Sequence, residues 1–149
     1  MLRLSKLTDY AIVVLARLGQ ANAAGRVTAV PELALASGLA EPTVAKVLKI
    51  LAQAGLVEGL RGARGGYRLS RTLECIPLSD VITAFEGPIA LTACVDGAAG
   101  GCESEGCCPV RGRWDPVNRA IRDALAGVTV AQLANTPPAR QCAAAVLNF

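Results

Sequence analysis

Apolar positions first recur with a helical rhythm. Leu7, Ala11, Val14, Leu15 and Leu18 fall on one face of a first helix, and Gly25 lies beyond its end. A second, short helix is expected from Pro31, which suits a first turn, through Leu33, Ala34 and Leu35 to Gly38. A third runs from about Glu41 to Ala54, with Val44, Val47, Leu48 and Leu51 as its buried stripe and Gly55 as its stop. The period then changes. Leu56–Leu60 and Tyr67–Ser70 read as two short strands, joined by Arg61-Gly62-Ala63-Arg64-Gly65-Gly66, whose glycines allow a hairpin tip to lie flat against another surface. A short helix follows near Ser79–Phe85, with Ser79 as its expected N-cap, and Gly87 and Pro88 break it. Ile89–Gly106 is a loop rich in Gly and Cys. From Pro109 a long helix is expected to carry Val110, Trp114, Val117, Ile121 and Leu125 in one apolar stripe.

The pair of helices around Gly38 has the proportions of a helix-turn-helix, in which the small Ala34 lets the helices cross closely and Gly38 makes the tight turn. A Gly/Arg hairpin directly after such a pair is the winged-helix arrangement. The fold expected is therefore mainly α with a small β-hairpin, a winged helix-turn-helix followed by a long dimerisation helix. Four units are expected: a winged domain over 1–86, a Gly/Cys-rich loop over 87–108, a dimerisation helix and C-terminal element over 109–134, and a loosely held tail over 135–149.

Charge sharpens this picture. Residues 1–72 hold ten Lys+Arg against four Asp+Glu, a net +6; residues 73–149 hold five against eight, a net −3. A basic first half on an acidic second half points to a polyanionic partner for the first half alone. Arg61, Arg64, Arg68 and Arg71 fall within eleven residues that contain no acid. A solvated hairpin would explain them too, but their place directly after the helix pair favours double-stranded DNA. Thr43 and Lys46, on the exposed face of the third helix, are then candidates for the major groove. Arg61, Arg64, Gly65 and Gly66 are candidates for phosphate or the minor groove. Readers of this type bind two half-sites, so Trp114, Val117, Ile121 and Leu125 are the expected homodimer contacts.

The chain is 149 residues with 52% apolar and 18% charged, which suits one folded domain and excludes a disordered protein. No stretch is both long and apolar enough for a membrane span, and Asp9 interrupts what a signal peptide would need, so a cytoplasmic location is expected. There the six cysteines are expected as reduced thiols or metal ligands. His is absent, which removes imidazole chemistry, and no nucleophile–base pair or phosphate loop is visible, so an enzyme is not expected.

Cys75 and Cys142 stand apart and read as small buried hydrophobes. Cys94, Cys102, Cys107 and Cys108 lie within fifteen residues, in a C-x7-C-x5-C spacing with Cys107 added. That spacing lacks the paired knuckles of structural zinc and the regular run of bacterial ferredoxins. Spacing leaves an iron–sulfur cluster, zinc and a thiol switch open, and a cluster or persulfide carrier stands as the rival function.

The ordered combination of these features resembles the IscR/NsrR group of bacterial winged-helix regulators, the Rrf-two family. The resemblance covers about residues 1–134. It rests on Arg3-Leu4…Leu7-Thr8-Asp9-Tyr10-Ala11, on Leu56-Val57 and the Arg61–Tyr67 wing, on the cysteine loop running into Cys108-Pro109…Trp114, and on Val128–Leu133. Within the family the lead-in Ile89-Ala90-Leu91-Thr92…Cys94 is most similar to regulators of SUF iron–sulfur assembly. The resemblance implies a cluster-dependent transcriptional regulator, with Cys94, Cys102 and Cys108 as ligands of an iron–sulfur cluster. It favours 2Fe–2S, with 4Fe–4S as the alternative. Asp9 matches the position from which some members donate a carboxylate across the dimer, and Cys107 is the alternative fourth ligand. Arg111 stands where other members carry a histidine ligand, and Ala45 where the family has a recognition-helix Glu, so neither of those devices is implied here.

Overall fold

The computed structural model describes residues 3–23, 26–95 and 101–134. Gly25, Gly97, Gly100, Cys142 and the expected 135–149 tail lie outside them. Among the described residues the order is α1 (Lys6–Asn22), α2 (Val30–Ser37), α3 (Glu41–Gln53), β1 (Val57–Leu60), β2 (Gly66–Leu69), α4 (Leu78–Glu86), α5 (Asp115–Ala126) and α6 (Val130–Leu133).

The expected stripes make the core. Ala11, Val14, Leu15 and Leu18 of α1 pack with Val44, Val47, Leu48 and Leu51 of α3, all with no exposed surface. Burying one such leucine or valine contributes about 1.5–3 kcal/mol, so this α1–α3 seam fixes which face of α3 is left outside. Ser5 caps α1 by accepting from the Thr8 amide at 3.3 Å. Gly38 ends α2 in the left-handed region (φ 71°), with its amide bonded to the Ala34 carbonyl at 2.9 Å, so the turn between α2 and α3 needs glycine there. Ala34 is buried as the close crossing requires, whereas Leu35 is 86% exposed.

β1 and β2 pair antiparallel, Val57 opposite Leu69 and Leu60 opposite Gly66. Thr28 joins as a third partner through reciprocal backbone bonds with Tyr67, at 2.9 and 2.8 Å. Gly66 is the close approach that allows this, because a β-carbon there would run into the Thr28 backbone.

Three expectations are corrected. α4 begins at Leu78 after Pro77, so Ser79 is not its N-cap; the Leu78 amide is instead held by the Val128 carbonyl at 2.8 Å, next to the Pro77–Thr129 bridge. The long helix begins at Asp115 rather than Pro109, because Gly112 takes a left-handed conformation (φ 69°) and breaks Pro109–Trp114 into turns. Cys75 is half-buried and disulfide-bonded rather than a buried free thiol. Leu73 and Ile76 take the buried positions of that short turn, which leaves Cys75 on its outer side. The C-terminal α6 carries a reciprocal capping box between Thr129 and Gln132.

Candidate DNA-binding face and cysteine segment

Turning the α3 stripe inward presents Ala45, Lys46 and Lys49 to solvent, with Thr43 half-exposed one turn before. Sequence reading named Thr43 and Lys46 but missed Lys49, although its spacing of three from Lys46 puts it on the same face.

The wing tip is a turn closed by the Gly65 amide on the Gly62 carbonyl at 2.9 Å. Gly62 has φ 113°, and a β-carbon on Gly65 would lie 2.7 Å from the Leu60 carbonyl oxygen, so both positions need glycine. The four arginines of the hairpin region divide into two pairs. Arg68 is held by Glu58 across the strands at 2.9 Å, and Arg71 by Asp80 at the start of α4 at 2.5 Å. Arg61 and Arg64 are exposed and have no carboxylate partner among the described residues. The unneutralised charge therefore sits at the tip, beside Gly65 and Gly66, which are half-buried against the strand ends. What distinguishes the two pairs is an opposing acid, across the strands for Arg68 and on α4 for Arg71, which a run of eleven acid-free residues conceals.

Glu86 closes α4 and faces the start of α1. Its carboxylate accepts from the Ser5 amide at 2.9 Å and from the Thr8 hydroxyl in a short bond. The Thr8 hydroxyl first, then the Ser5 side chain and amide, hold Glu86 below the ordinary carboxylate value, against a smaller opposing effect of burial. Asp9 is exposed on the same first turn of α1.

The segment after Gly87 carries the thiols. Cys94, Cys102 and Cys108 are half-buried and Cys107 is exposed, and all four are free. Among the described residues no three Cys, Asp or Glu side chains converge as a metal-binding group, so one chain does not by itself gather Asp9 with the cysteines. The donor chemistry nonetheless suits iron and sulfide, because four unpaired thiols sit on one short glycine-containing segment.

α5 lies against α4 through one side of the helix. Trp114, just before it, and Val117 are 42% and 45% exposed, Ile121 and Leu125 are half-buried, and Asn118 is its one buried residue. The stripe expected to meet a partner is thus only partly covered by its own chain, and is most open at Trp114 and Val117. No helix among the described residues is long and apolar enough to cross a membrane.

A helix-turn-helix with a basic recognition helix and a cationic wing defines a winged-helix DNA-binding protein. The chain belongs to the Rrf2 family of iron-dependent transcriptional regulators, whose profile matches residues 4–136. It is 33% identical over 137 residues to protein aau3 of Rhizobium meliloti (strain 1021), covering 92% of this chain and 88% of that one. Among solved structures, CymR, the global cysteine regulator of B. subtilis, superposes with TM-score 0.67 at 27% identity, covering 91% of this chain and 98% of that one. IscR of T. potens superposes with TM-score 0.61 at 25% identity, covering 90% and 87%. Family membership makes the chain a DNA-binding transcriptional regulator and not an enzyme.

Proposed function

We propose that this regulator works in the cytoplasm as a homodimer on a two-half-site operator, and that its affinity follows the state of the cysteine segment. The observation that carries this is one of placement: along the chain the free thiols lie between α4, which belongs to the DNA-reading unit, and α5, whose apolar stripe is only partly covered. Exposed Trp114 and Val117, continued by half-buried Ile121 and Leu125, suit a second copy of the chain better than water.

In this reading Lys46 and Thr43 enter the major groove, and Arg61 and Arg64, with the backbone of Gly65 and Gly66, hold phosphate or the minor groove. Cys94, Cys102 and Cys108 would hold an iron–sulfur cluster, 2Fe–2S or, as the alternative, 4Fe–4S, with Asp9 of the partner subunit or Cys107 as fourth ligand. When bound, the cluster supplies a labile crosslink among those thiolates. Everything else falls to the chain: Glu86 ties the start of the segment to α1, and α5 carries the segment's position towards the dimer axis. A change of order there alters the separation of the two recognition helices, which matters because both half-sites must be engaged together. The likeness of the Ile89–Cys94 lead-in to SUF regulators supports iron–sulfur assembly genes as targets.

A second reading, sensing by the thiols themselves, is supported by the four free cysteines, of which Cys107 is exposed. Anaerobic purification followed by a visible spectrum and iron and sulfide counts tests the first reading. A coloured protein with stoichiometric iron and sulfide is expected; a colourless, iron-free protein whose DNA affinity responds to thiol oxidation would replace it with the second.

A further inference from the structure

Asn118 is an anomaly in α5. It is 2% exposed, at the place where the helix packs inward, and asparagine is both a poor helix former and costly to bury unpaired. Both ends of its amide are engaged. The side-chain oxygen accepts from the Leu91 amide at 3.0 Å, and the side-chain nitrogen donates to the Ile89 carbonyl at 3.1 Å. This is the pair of bonds that a neighbouring strand would make to an extended chain, supplied here by one side chain. A backbone amide and a backbone carbonyl fix which end of the Asn118 amide faces which. No aliphatic residue at 118 could satisfy either group.

The clamp sits immediately before a thiol. Thr92 follows Leu91, and its hydroxyl lies 3.3 Å from the Cys94 sulfur. Three residues before Ile89, Glu86 anchors the same stretch to α1. The stretch is therefore pinned at one end to the DNA-reading unit and at the other to α5.

We propose that Asn118 is a positioning residue for Cys94: through Leu91 and Thr92 it fixes the thiol relative to α5, so that a change at the thiol is felt by that helix. This rests on the reading of the cysteine segment as the sensor, and it names the contact by which sensor and α5 are joined. Cys107 provides an internal control, since it lies thirteen residues further along the chain and is exposed.

The experiment is iodoacetamide labelling of the reduced full-length protein, free of metal, with the rate at each cysteine followed by peptide mass spectrometry. Asn118→Ala is expected to raise the Cys94 rate roughly tenfold, the scale of losing one or two buried hydrogen bonds, while Cys107 stays within about twofold. An unchanged Cys94 rate, or an equal rise at both cysteines, overturns the proposal, because the first denies the clamp and the second describes general loosening. Should Asn118→Ala fail to fold, Thr92→Val leaves the clamp intact and removes only the hydroxyl. It is expected to change the Cys94 rate alone, and an unchanged rate overturns the relay. Labelling needs no cluster, so a protein that never binds iron can still show the selective response. Conversely, a protein that binds a cluster can fail to show it, which separates this proposal from the functional reading above.

Discussion

The Thr8 hydroxyl, buried under the first turn of α1, donates to the carboxylate of Glu86, the last residue of α4 seventy-eight positions away. Because this contact lowers the folded pKa of Glu86, its stabilisation is fully present above the unfolded glutamate value of about 4.3 and is lost as pH falls through the lowered folded value. Glu86→Gln should cost on the order of 1 kcal/mol near neutrality, since the carboxylate is largely exposed and screened. Melting curves of the two proteins should converge in acid. Parallel curves down to the acid limit would mean that the carboxylate adds nothing.

DNA contact at the wing depends on charge that no carboxylate already neutralises. Arg61→Ala and Arg64→Ala should each reduce the magnitude of the salt slope of operator binding by about 1.8 for a dimer, one phosphate contact per subunit. Arg68→Ala and Arg71→Ala should change it little, because Glu58 and Asp80 already neutralise those guanidiniums. Binding titrations at several salt concentrations decide. Equal slopes for all four variants would contradict the division.

On α3, Lys46 and Thr43 should govern which sequence is bound rather than how strongly DNA in general is held. Substituting either should change discrimination by about 1–3 kcal/mol per affected base pair. Competition between operator and scrambled DNA measures this, and a uniform loss on both would reassign the residue to phosphate contact. Lys49 belongs in the same series.

Much of this was legible from periodicity. The stripes of α1 and α3 are core stripes because a face repeated at helical spacing can be buried only one way, and Gly38 marked its turn because no other residue tolerates φ 71° there cheaply. What failed depended on partners distant in sequence. The start of α4 follows from the Val128 carbonyl, and Cys75 was misread because Leu73 and Ile76, its neighbours, compete for the same interior. The helix expected from Pro109 was lost to Gly112, whose left-handed geometry no hydrophobic pattern announces. Asn118 and Glu86 were invisible, since each acquires meaning only from backbone groups that folding brings near.

For the α5 stripe, Ile121→Glu should give monomers, since like charges would meet near the two-fold axis. Operator affinity should fall with it, while the melting temperature of the monomer changes little. Sedimentation is the measurement, and an undiminished dimer would place the interface elsewhere.

Among the thiols, Cys94→Ala, Cys102→Ala and Cys108→Ala should each abolish the visible spectrum without disturbing the winged unit, because the segment lies outside its core. Cys107→Ala and Asp9→Ala then separate the candidates for the fourth ligand. Loss of colour in Asp9→Ala with Cys107→Ala unaffected would tie the centre to the partner's first helix. The reverse would confine it to one segment.

The backbone bonds between Thr28 and Tyr67 have a consequence for how an operator is measured. They stitch the hairpin to the strand-like stretch before α2, so wing and recognition helix travel together as a single gauge of fixed width. Such a gauge cannot be retuned within one subunit without breaking that bridge. In the proposed dimer only the interval between two such gauges would be adjustable, and helical DNA would convert that interval into phase. Inserting about five base pairs between half-sites, half a turn of the duplex, would put the second site on the opposite face and abolish joint engagement, whereas about ten would restore the facing and leave only distance to be bridged.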